Sequence, residues 1–301
     1  MRWPLFAEIG SILRIHIILI AMTAAITFGW LFSGKYLWWV AALVGLDWLL
    51  VNLLNRISDI NEDVVNGIRG AGHVARHRRA LVIVWSVIQA FSLALGVYLA
   101  PALTPWRVAV QLAGVGYSFR VVPTPNGWRR FKDIYFLKNF MSAAAFVATV
   151  FAYPLVATRL GSATWGEILI LVAFFVPFEM TYEIIYDMRD LDGDAKAAVP
   201  TFPVVHGLVR ARQIVDVLLA TSVLFILVGL GTGALGLREG LLAAAPVVQA
   251  LLYRPRYCRG ITRQDCILLT HAGTAMLLAY LGGTRAWLEV GLPANIYLVG
   301  P

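Results

Sequence analysis

The sequence predicts an all-α, polytopic membrane protein with nine transmembrane helices, amino terminus inside and carboxyl terminus outside. Three observations carry this. Of 301 residues, 59% are hydrophobic and 14% charged, where a soluble domain needs about a quarter charged to cover its surface. Mean hydropathy is +0.74, and apolar runs near the roughly 20 residues that cross a bilayer recur along the whole chain. Lys and Arg concentrate in alternate connections between those runs. The net charge of +8 is therefore a topology signal rather than a nucleic-acid footprint, and nucleic-acid binding and disorder are both excluded.

Taken in order, the runs are Ile12–Leu31, Leu37–Leu54, Leu81–Leu99 and Trp106–Phe119 in the first half. The second half supplies Phe140–Val156, Ile168–Tyr186, Val215–Leu237, Leu241–Tyr253 and Ile267–Leu288. The fourth and eighth are short. The first is too long for a signal peptide and lacks a small-residue cleavage site after a short apolar core. With the amino terminus inside, the inner segments hold Arg2 and Arg14, five basic residues over Arg56–Arg79, five over Arg120–Lys138, four over Arg189–Arg212 and four over Arg254–Arg263. Only Lys35, Arg107, Arg159, Arg238 and Arg285 fall outside, the bias that the positive-inside rule describes. Cys258 and Cys266 make no disulfide framework and read as reduced thiols on the inner side. No linker, P-loop or dinucleotide fingerprint interrupts the chain, so residues 1–301 are expected to form one transmembrane domain. The absence of a targeting extension fits a bacterial inner membrane.

Two polar clusters do not belong to a plain scaffold. The second span runs into Asn55, Asp59 and Asp63, which fall within about 80° of one another on a helix, one group per turn. Carboxylates a turn apart repel, so the spacing suggests an oxygen-liganded divalent cation with Asn55 as a neutral donor; a solvated helix end carries the same residue types, and spacing alone leaves both readings open. The sixth span ends in Glu179, Tyr182, Glu183, Tyr186, Asp187, Asp190, Asp192, Gly193 and Asp194. If the helix persists, Glu179, Glu183, Asp187, Asp190 and Asp194 share a face and Asp192 points away, although Gly193 is expected to unwind the end. Two acidic helix ends opening on one side can hold Mg²⁺ against a diphosphate, whose departure from an allylic carbon leaves a carbocation. Basic side chains that take up the remaining charge are sought in the inner loops: in the segment from Arg120 to Asn139, where Lys138 and Asn139 begin a span and so point toward the bundle, and, equally ambiguous, among Arg69, Arg76, Arg78 and Arg79.

These residues resemble the UbiA superfamily of intramembrane prenyltransferases over nearly the whole chain. Asn55, Asp59 and Asp63 match its Asn-x-x-x-Asp-x-x-x-Asp signature after the second helix, and Asp187, Asp190 and Asp194 its Asp-x-x-Asp-x-x-x-Asp after the sixth. Lys132 and Lys138 look like its basic loop between helices four and five. The resemblance implies nine helices around a central cavity, Mg²⁺ as cofactor, a polyprenyl diphosphate as donor and a hydrophobic or aromatic acceptor, with a lipid bilayer as surroundings. It makes Asp59, Asp63, Asp190 and Asp194 the catalytic metal ligands, with Asn55 and Asp187 their assistants, and Lys132 and Lys138 the diphosphate-binding cations; Arg76, in the connection that departs from the family, is added as a third cation. Two departures stand out: Arg56 follows Asn55 where the family often has Asp, and Val65–Gly72 replaces its Lys-Pro-x-Arg-Pro stretch.

Tyr117, Tyr182, Glu183 and Tyr186 are expected to line the cavity. Trp38, Trp39, Trp106 and Trp128 read as interfacial belt residues. Asp47, deep in the second span, needs a partner or water, and Glu179 is the candidate. His73 and His77 lie a turn apart with no third ligand and read as a solvated loop. A terpene cyclase of the same superfamily, in which the chain's own double bond captures the cation, is the alternative of the same fold; an ion-coupled transporter, suggested by deep carboxylates, is the alternative of another class. No protein partner is legible.

Overall fold

The computed structural model describes residues 3–125, 127–161 and 163–299. Its order is α1 (Trp3–Leu13), α2 (Ile15–Ser33), α3 (Trp38–Ser58), α4 (Ile60–Val65), α5 (Ala71–Arg76), α6 (Arg78–Leu99), α7 (Thr104–Ser118), strands β1 (Val122–Thr124) and β2 (Gly127–Arg129), then α8 (Leu137–Val147) and α9 (Tyr153–Ala157). There follow α10 (Trp165–Arg189), α11 (Leu191–Lys196), α12 (Phe202–Gly231), α13 (Leu237–Gly240), α14 (Ala244–Cys258) and α15 (Arg263–Glu289). Among the described residues seven helices are long and apolar enough to cross a membrane: α2, α3, α6, the α8–α9 unit, α10, α12 and α15. The fourth and eighth expected spans coincide with α7 and α14, each 15 residues, about 22 Å of rise and short of a full hydrocarbon core.

Three boundaries differ from the apolar runs for local reasons. The first run is cut at Arg14, whose left-handed backbone (φ 51, ψ 49) separates α1 from α2. Between α8 and α9 the chain makes a wide π turn over Ala148–Ala152, because Pro154 has no amide with which to continue the ladder. The seventh span begins at Phe202 rather than Val215 and bends at Gly207 (φ 78, ψ 163). The expectation of an all-α chain needs one correction: residues 122–129 form a small antiparallel hairpin pairing Val122 with Arg129 and Thr124 with Gly127, in the connection between α7 and α8.

The main core is a continuous apolar cluster spanning α2, α3, α8, α10, α12 and α15, and a second, small one of Ile12, Leu53, Ile57 and Val74 lies where α1, α3 and α5 meet. Small residues bring α2 and α3 together: Ala21, Ala24 and Ala25 are fully buried, and a Cβ on Gly45 would fall 2.6 Å from Met22 Sδ. Aromatic rings fill the centre in a continuous chain, with Trp48 against Phe146, Phe146 against Phe175, Phe175 against Phe178 and Phe178 against Tyr182.

One buried charge belongs to this scaffold. Arg107, counted above among residues outside the membrane, is fully buried with Asp47. Its Nε and Nη2 donate to the two Asp47 oxygens at 2.9 and 2.8 Å, its Nη1 donates to the Ser92 carbonyl at 3.0 Å, and Tyr153 Oη donates to Asp47 at 2.9 Å. The partner expected for Asp47, Glu179, is not the one it has. This network ties α3, α6, α7 and α9 together, and it gives the short helix α7 a fixed place against the longer ones.

Candidate active site

Both acidic motifs are built the same way. The α3 helix stops at Ser58, Asp59 forms the junction (φ −100, ψ 22) and α4 resumes after it; α10 stops at Arg189, Asp190 forms the junction (φ −92, ψ 10) and α11 follows. Asn55 and Asp187 thus lie in the last turn of a long helix, Asp59 and Asp190 at the break, Asp63 and Asp194 in the short helix beyond. A single unbroken helical stripe is therefore not what gathers Asp187, Asp190 and Asp194; the break does so. Asp192 points away and is exposed. Gly193 does not unwind the end. It is helical, and a Cβ there would lie 2.1 Å from Asn66 Oδ1, so its lack of a side chain lets α11 close onto α4 and sets the two motifs face to face.

They open on one cavity, about 1390 Å³ of empty space when the open solvent at its mouth is included. Asn55, Asp59, Asp63, Asp187, Asp190, Asp194, Lys132 and Lys138 line it, as do Tyr117, Tyr182, Glu183 and Tyr186. Arg76 does not: it is exposed on α5, away from the lining. Trp48, Val51, Ile17, Ile20, Ala145 and Phe146 make the apolar part of the wall.

Each carboxylate at the mouth already has a cation. Lys132 Nζ lies 2.7 Å from Asp59 Oδ1 and 2.6 Å from Glu62 Oε2. Arg130 adds a contact to Glu62 at 3.1 Å and is itself held by Asp133 at 2.7 Å. Arg56 donates to Asp63 at 2.7 Å. On the other motif, Lys138 Nζ bridges Asp187 (2.8 Å) and Asp194 (3.0 Å), Asn139 Nδ2 donates to Asp187 Oδ2 at 2.7 Å, and Arg189 clasps Asp190, its Nε donating at 2.7 Å. Repulsion between neighbouring carboxylates is thus relieved by protein cations, and a metal ion is not needed to keep the fold together. Burial pushes Asp59 above the ordinary carboxylate range in spite of Lys132. Burial also pushes on Glu62, but Lys132 and Arg130 outweigh it and hold the group below that range. Burial raises Asp194 to about 6, with Lys138 opposing and Asp187 adding to the rise.

Four contributors were not singled out from sequence. Glu62 and Arg130 meet only because the segment after the hairpin folds back over α4, whereas Arg189, at the end of α10, clasps its own neighbour Asp190. Arg14 read as a topology charge. It lines the cavity, and with the Asn55 amide oriented to satisfy both neighbours its guanidinium donates to Asn55 Oδ1 at 3.1 Å while Asn55 Nδ2 donates to Asp59 at 2.7 Å. Among the described residues it is the cation of the lining that has no carboxylate partner. Its left-handed backbone, uncommon for a residue with a side chain, is the structural mark of that position.

The donor set suits a hard divalent ion, all of it carboxylate or amide oxygen. Among the described residues no three acidic or imidazole groups stand close enough to form a complete cage. Mg²⁺ does not require one, since one or two carboxylates suffice when phosphate oxygens complete its shell. His73 on α5 and His77 just beyond its end are exposed and take no part.

The sequence profile of the UbiA prenyltransferase family matches residues 15–272. No curated protein matches the chain. Among solved structures, a UbiA homolog from Archaeoglobus fulgidus bound to GPP and Mg²⁺ is similar with a TM-score of 0.69 at 16% identity, over 92% of this chain and 98% of that one. A structure concerned with digeranylgeranylglyceryl phosphate synthase in membranes has a TM-score of 0.60 at 16% identity, over 92% and 98%. The apo UbiA homolog from Aeropyrum pernix K1 likewise gives 0.60 at 16%, over 91% and 98%. With that profile spanning most of a fold whose cavity gathers both aspartate motifs, the chain belongs to the UbiA prenyltransferase family and is an enzyme of the prenyltransferase class.

Proposed function

We propose that this enzyme transfers the prenyl group of a polyprenyl diphosphate to a hydrophobic or aromatic acceptor inside the bilayer, with Mg²⁺ as cofactor. The observation that carries the reading is the convergence of two acidic helix breaks and two buried lysines on the mouth of one apolar-walled cavity. Asp59, Asp63, Asp190 and Asp194 would hold Mg²⁺, with Asn55 and Asp187 beside them. Bound Mg²⁺ supplies the electrophilic pull on the leaving diphosphate. Lys132, Lys138, Arg14 and Arg189 then have anionic oxygens to bind in addition to their own carboxylates. The apolar wall keeps water from the allylic cation, and the faces of Trp48, Phe146, Tyr182 and Tyr186 offer it cation–π stabilisation. Placing α7 and α14 across the membrane with the seven longer helices makes nine spans, amino terminus inside and carboxyl terminus outside. The motifs then lie on the cytoplasmic side, as expected for a bacterial inner membrane. Arg107, buried with Asp47 rather than outside, strengthens the charge bias that supports this orientation.

The test is diphosphate release by purified protein offered geranyl, farnesyl and geranylgeranyl diphosphate with Mg²⁺ or EDTA, the extracts read by mass spectrometry. Release that needs Mg²⁺ and yields an acceptor adduct supports transfer. A cyclic hydrocarbon formed without acceptor would replace it by cyclisation. Asp59→Ala or Asp190→Ala is expected to abolish turnover in folded protein, and full activity in either variant overturns the mechanism.

A further inference from the structure

The cavity has a fixed inner end. Two turns before Asn55 on α3 stands Trp48, and two turns after Asn139 on α8 stands Phe146, each about 10 Å of helix rise from the acidic mouth. Their rings meet there, centroids 5.6 Å apart. The Trp48 indole is fastened from behind, its Nε1 donating to Thr149 Oγ1 at 3.0 Å, and Phe146 stacks at 5.9 Å on Phe175, which is buried and outside the lining. Next to Trp48 lies Asp47 with Arg107, a pair fully shielded from solvent, so the floor rests on rigid scaffold. Side chains lean toward the start of their helix. For Phe146 that is the direction of the mouth, which makes 10 Å an upper limit to the free depth.

The sides are closed as well. Val51 of α3 sits against Gly114 of α7, where a Cβ would fall 3.0 Å from it, and α7 packs in turn on α8. Ser142 Oγ of α8 donates to Glu183 of α10 at 2.8 Å, and Tyr186 of α10 bonds Thr270 of α15 at 2.9 Å. Gly273 of α15 receives both Ile20 of α2 and the Tyr182 hydroxyl, each 2.8 Å from where its Cβ would be. The ring closes where Met22 of α2 meets Gly45 of α3. A prenyl chain, wholly apolar, is driven onto the apolar part of this wall, and the wall ends at the two rings. At about 1.2 Å per chain bond an isoprene unit of four bonds spans about 5 Å. We propose that the Trp48–Phe146 floor limits the donor to two isoprene units, a geranyl group, because the third unit of a farnesyl chain has to fold back into the space that the acceptor needs. This rests on the prenyl-transfer reading.

The test is calorimetric binding of dimethylallyl, geranyl, farnesyl and geranylgeranyl thiolodiphosphate to full-length protein with Mg²⁺ in one detergent. Geranyl is expected to bind about tenfold or more tighter than dimethylallyl, since its second unit is buried, and about tenfold tighter than farnesyl, which overfills the site. Phe146→Ala, which deepens the floor by a ring, should reverse the order of geranyl and farnesyl. Ala145→Leu fills the cavity beside that ring without emptying the core; it should weaken geranyl about tenfold and leave dimethylallyl within about twofold. Partition of the longer chains into micelles is the same for every variant, so it cannot produce these shifts. If Phe146→Ala does not fold, Ala145→Leu alone decides. Affinity that rises unbroken to geranylgeranyl overturns the proposal, because the chain then leaves between helices. A geranyl optimum that neither variant moves also overturns it, by placing the limit elsewhere. Failure of all four analogues to bind, dimethylallyl included, removes prenyl transfer itself and this proposal with it.

Discussion

Asp47→Asn removes one charge from a pair that is wholly shielded from solvent. The carboxylate accepts from Arg107 Nε, Arg107 Nη2 and Tyr153 Oη; an amide offers one acceptor oxygen and turns an NH₂ toward those donors. Two charge-assisted hydrogen bonds are disturbed, and a guanidinium is left in the core with no anion, only Ser92 and one amide oxygen to accept from it. Removing one partner of a buried ion pair costs about 3–5 kcal/mol, a large share of the roughly 5–15 kcal/mol that holds a domain folded. Replacing both charges, as in Asp47→Leu with Arg107→Met, leaves no uncompensated ion and should recover most of the loss. The assay is inactivation half-life in detergent at fixed temperature, since unfolding here is best followed as a rate. Asp47→Asn should shorten it by at least an order of magnitude, with diphosphate release per folded molecule unchanged. A half-life equal to the wild type, or a double variant less stable than the single one, refutes the argument that this pair is scaffold.

Acids of the mouth should behave in the opposite way. Asp59→Asn and Asp190→Asn are expected to lower turnover by about 10²-fold or more while shortening the inactivation half-life far less than Asp47→Asn does, because Lys132 keeps Glu62 and the Arg189–Asp190 pair lies part-exposed at the open mouth. Asp194, raised by burial to about 6, binds a metal only when ionised; the Mg²⁺ concentration for half-maximal release should therefore be flat above pH 7 and climb as pH falls below 6, and a flat profile down to pH 5 excludes Asp194 as a ligand. Arg14→Gln, which removes the lining cation that has no acid of its own, should raise KM for the prenyl diphosphate about tenfold with little change in kcat. Arg76→Gln, on the exposed face of α5, should leave both constants within twofold.

How much was legible in sequence follows from which residues act locally. Asn55, Asp59 and Asp63, and Asp187, Asp190 and Asp194, are spaced by helix periodicity, and they line one cavity even though the helix breaks at Asp59 and Asp190. Lys138 and Asn139 open α8 and so point at the bundle, as their position at the start of an apolar run implies. What lay hidden depends on distant folding. Arg107 pairs with a residue 60 positions away, and its place near the end of a short run made it look like loop. Lys132 and Arg130 reach Glu62 across about 70 positions, by way of a hairpin with no apolar signature. Arg14 is marked only by a backbone angle. Gly193 misled because glycine signals both helix ends and close approach, and only the position of Asn66 tells which applies.

The charge balance of the mouth explains why so many basic residues crowd an acidic site. Asp59, Glu62 and Asp63 pair with Lys132, Arg130 and Arg56, and Asp187, Asp190 and Asp194 pair with Lys138 and Arg189. A cavity of aspartates alone would repel a diphosphate, and one of lysines alone would trap it after its prenyl group had left. With the two sets paired, donor and Mg²⁺ together add both signs of charge at once, so neither has to enter against an uncompensated field. On the proposed function, Lys132 and Lys138 would each exchange part of their carboxylate contact for a phosphate oxygen, freeing Asp59, Asp187 and Asp194 toward the metal. Lys138→Met is the decisive variant, because Lys138 is the cation that bridges Asp187 and Asp194. If the pairing is an exchangeable resting state, the variant should bind Mg²⁺ alone more tightly and geranyl diphosphate more weakly. Calorimetric titration of each, separately and together, measures both; a loss of Mg²⁺ affinity in Lys138→Met would show that the lysine assembles the metal site rather than occupying it.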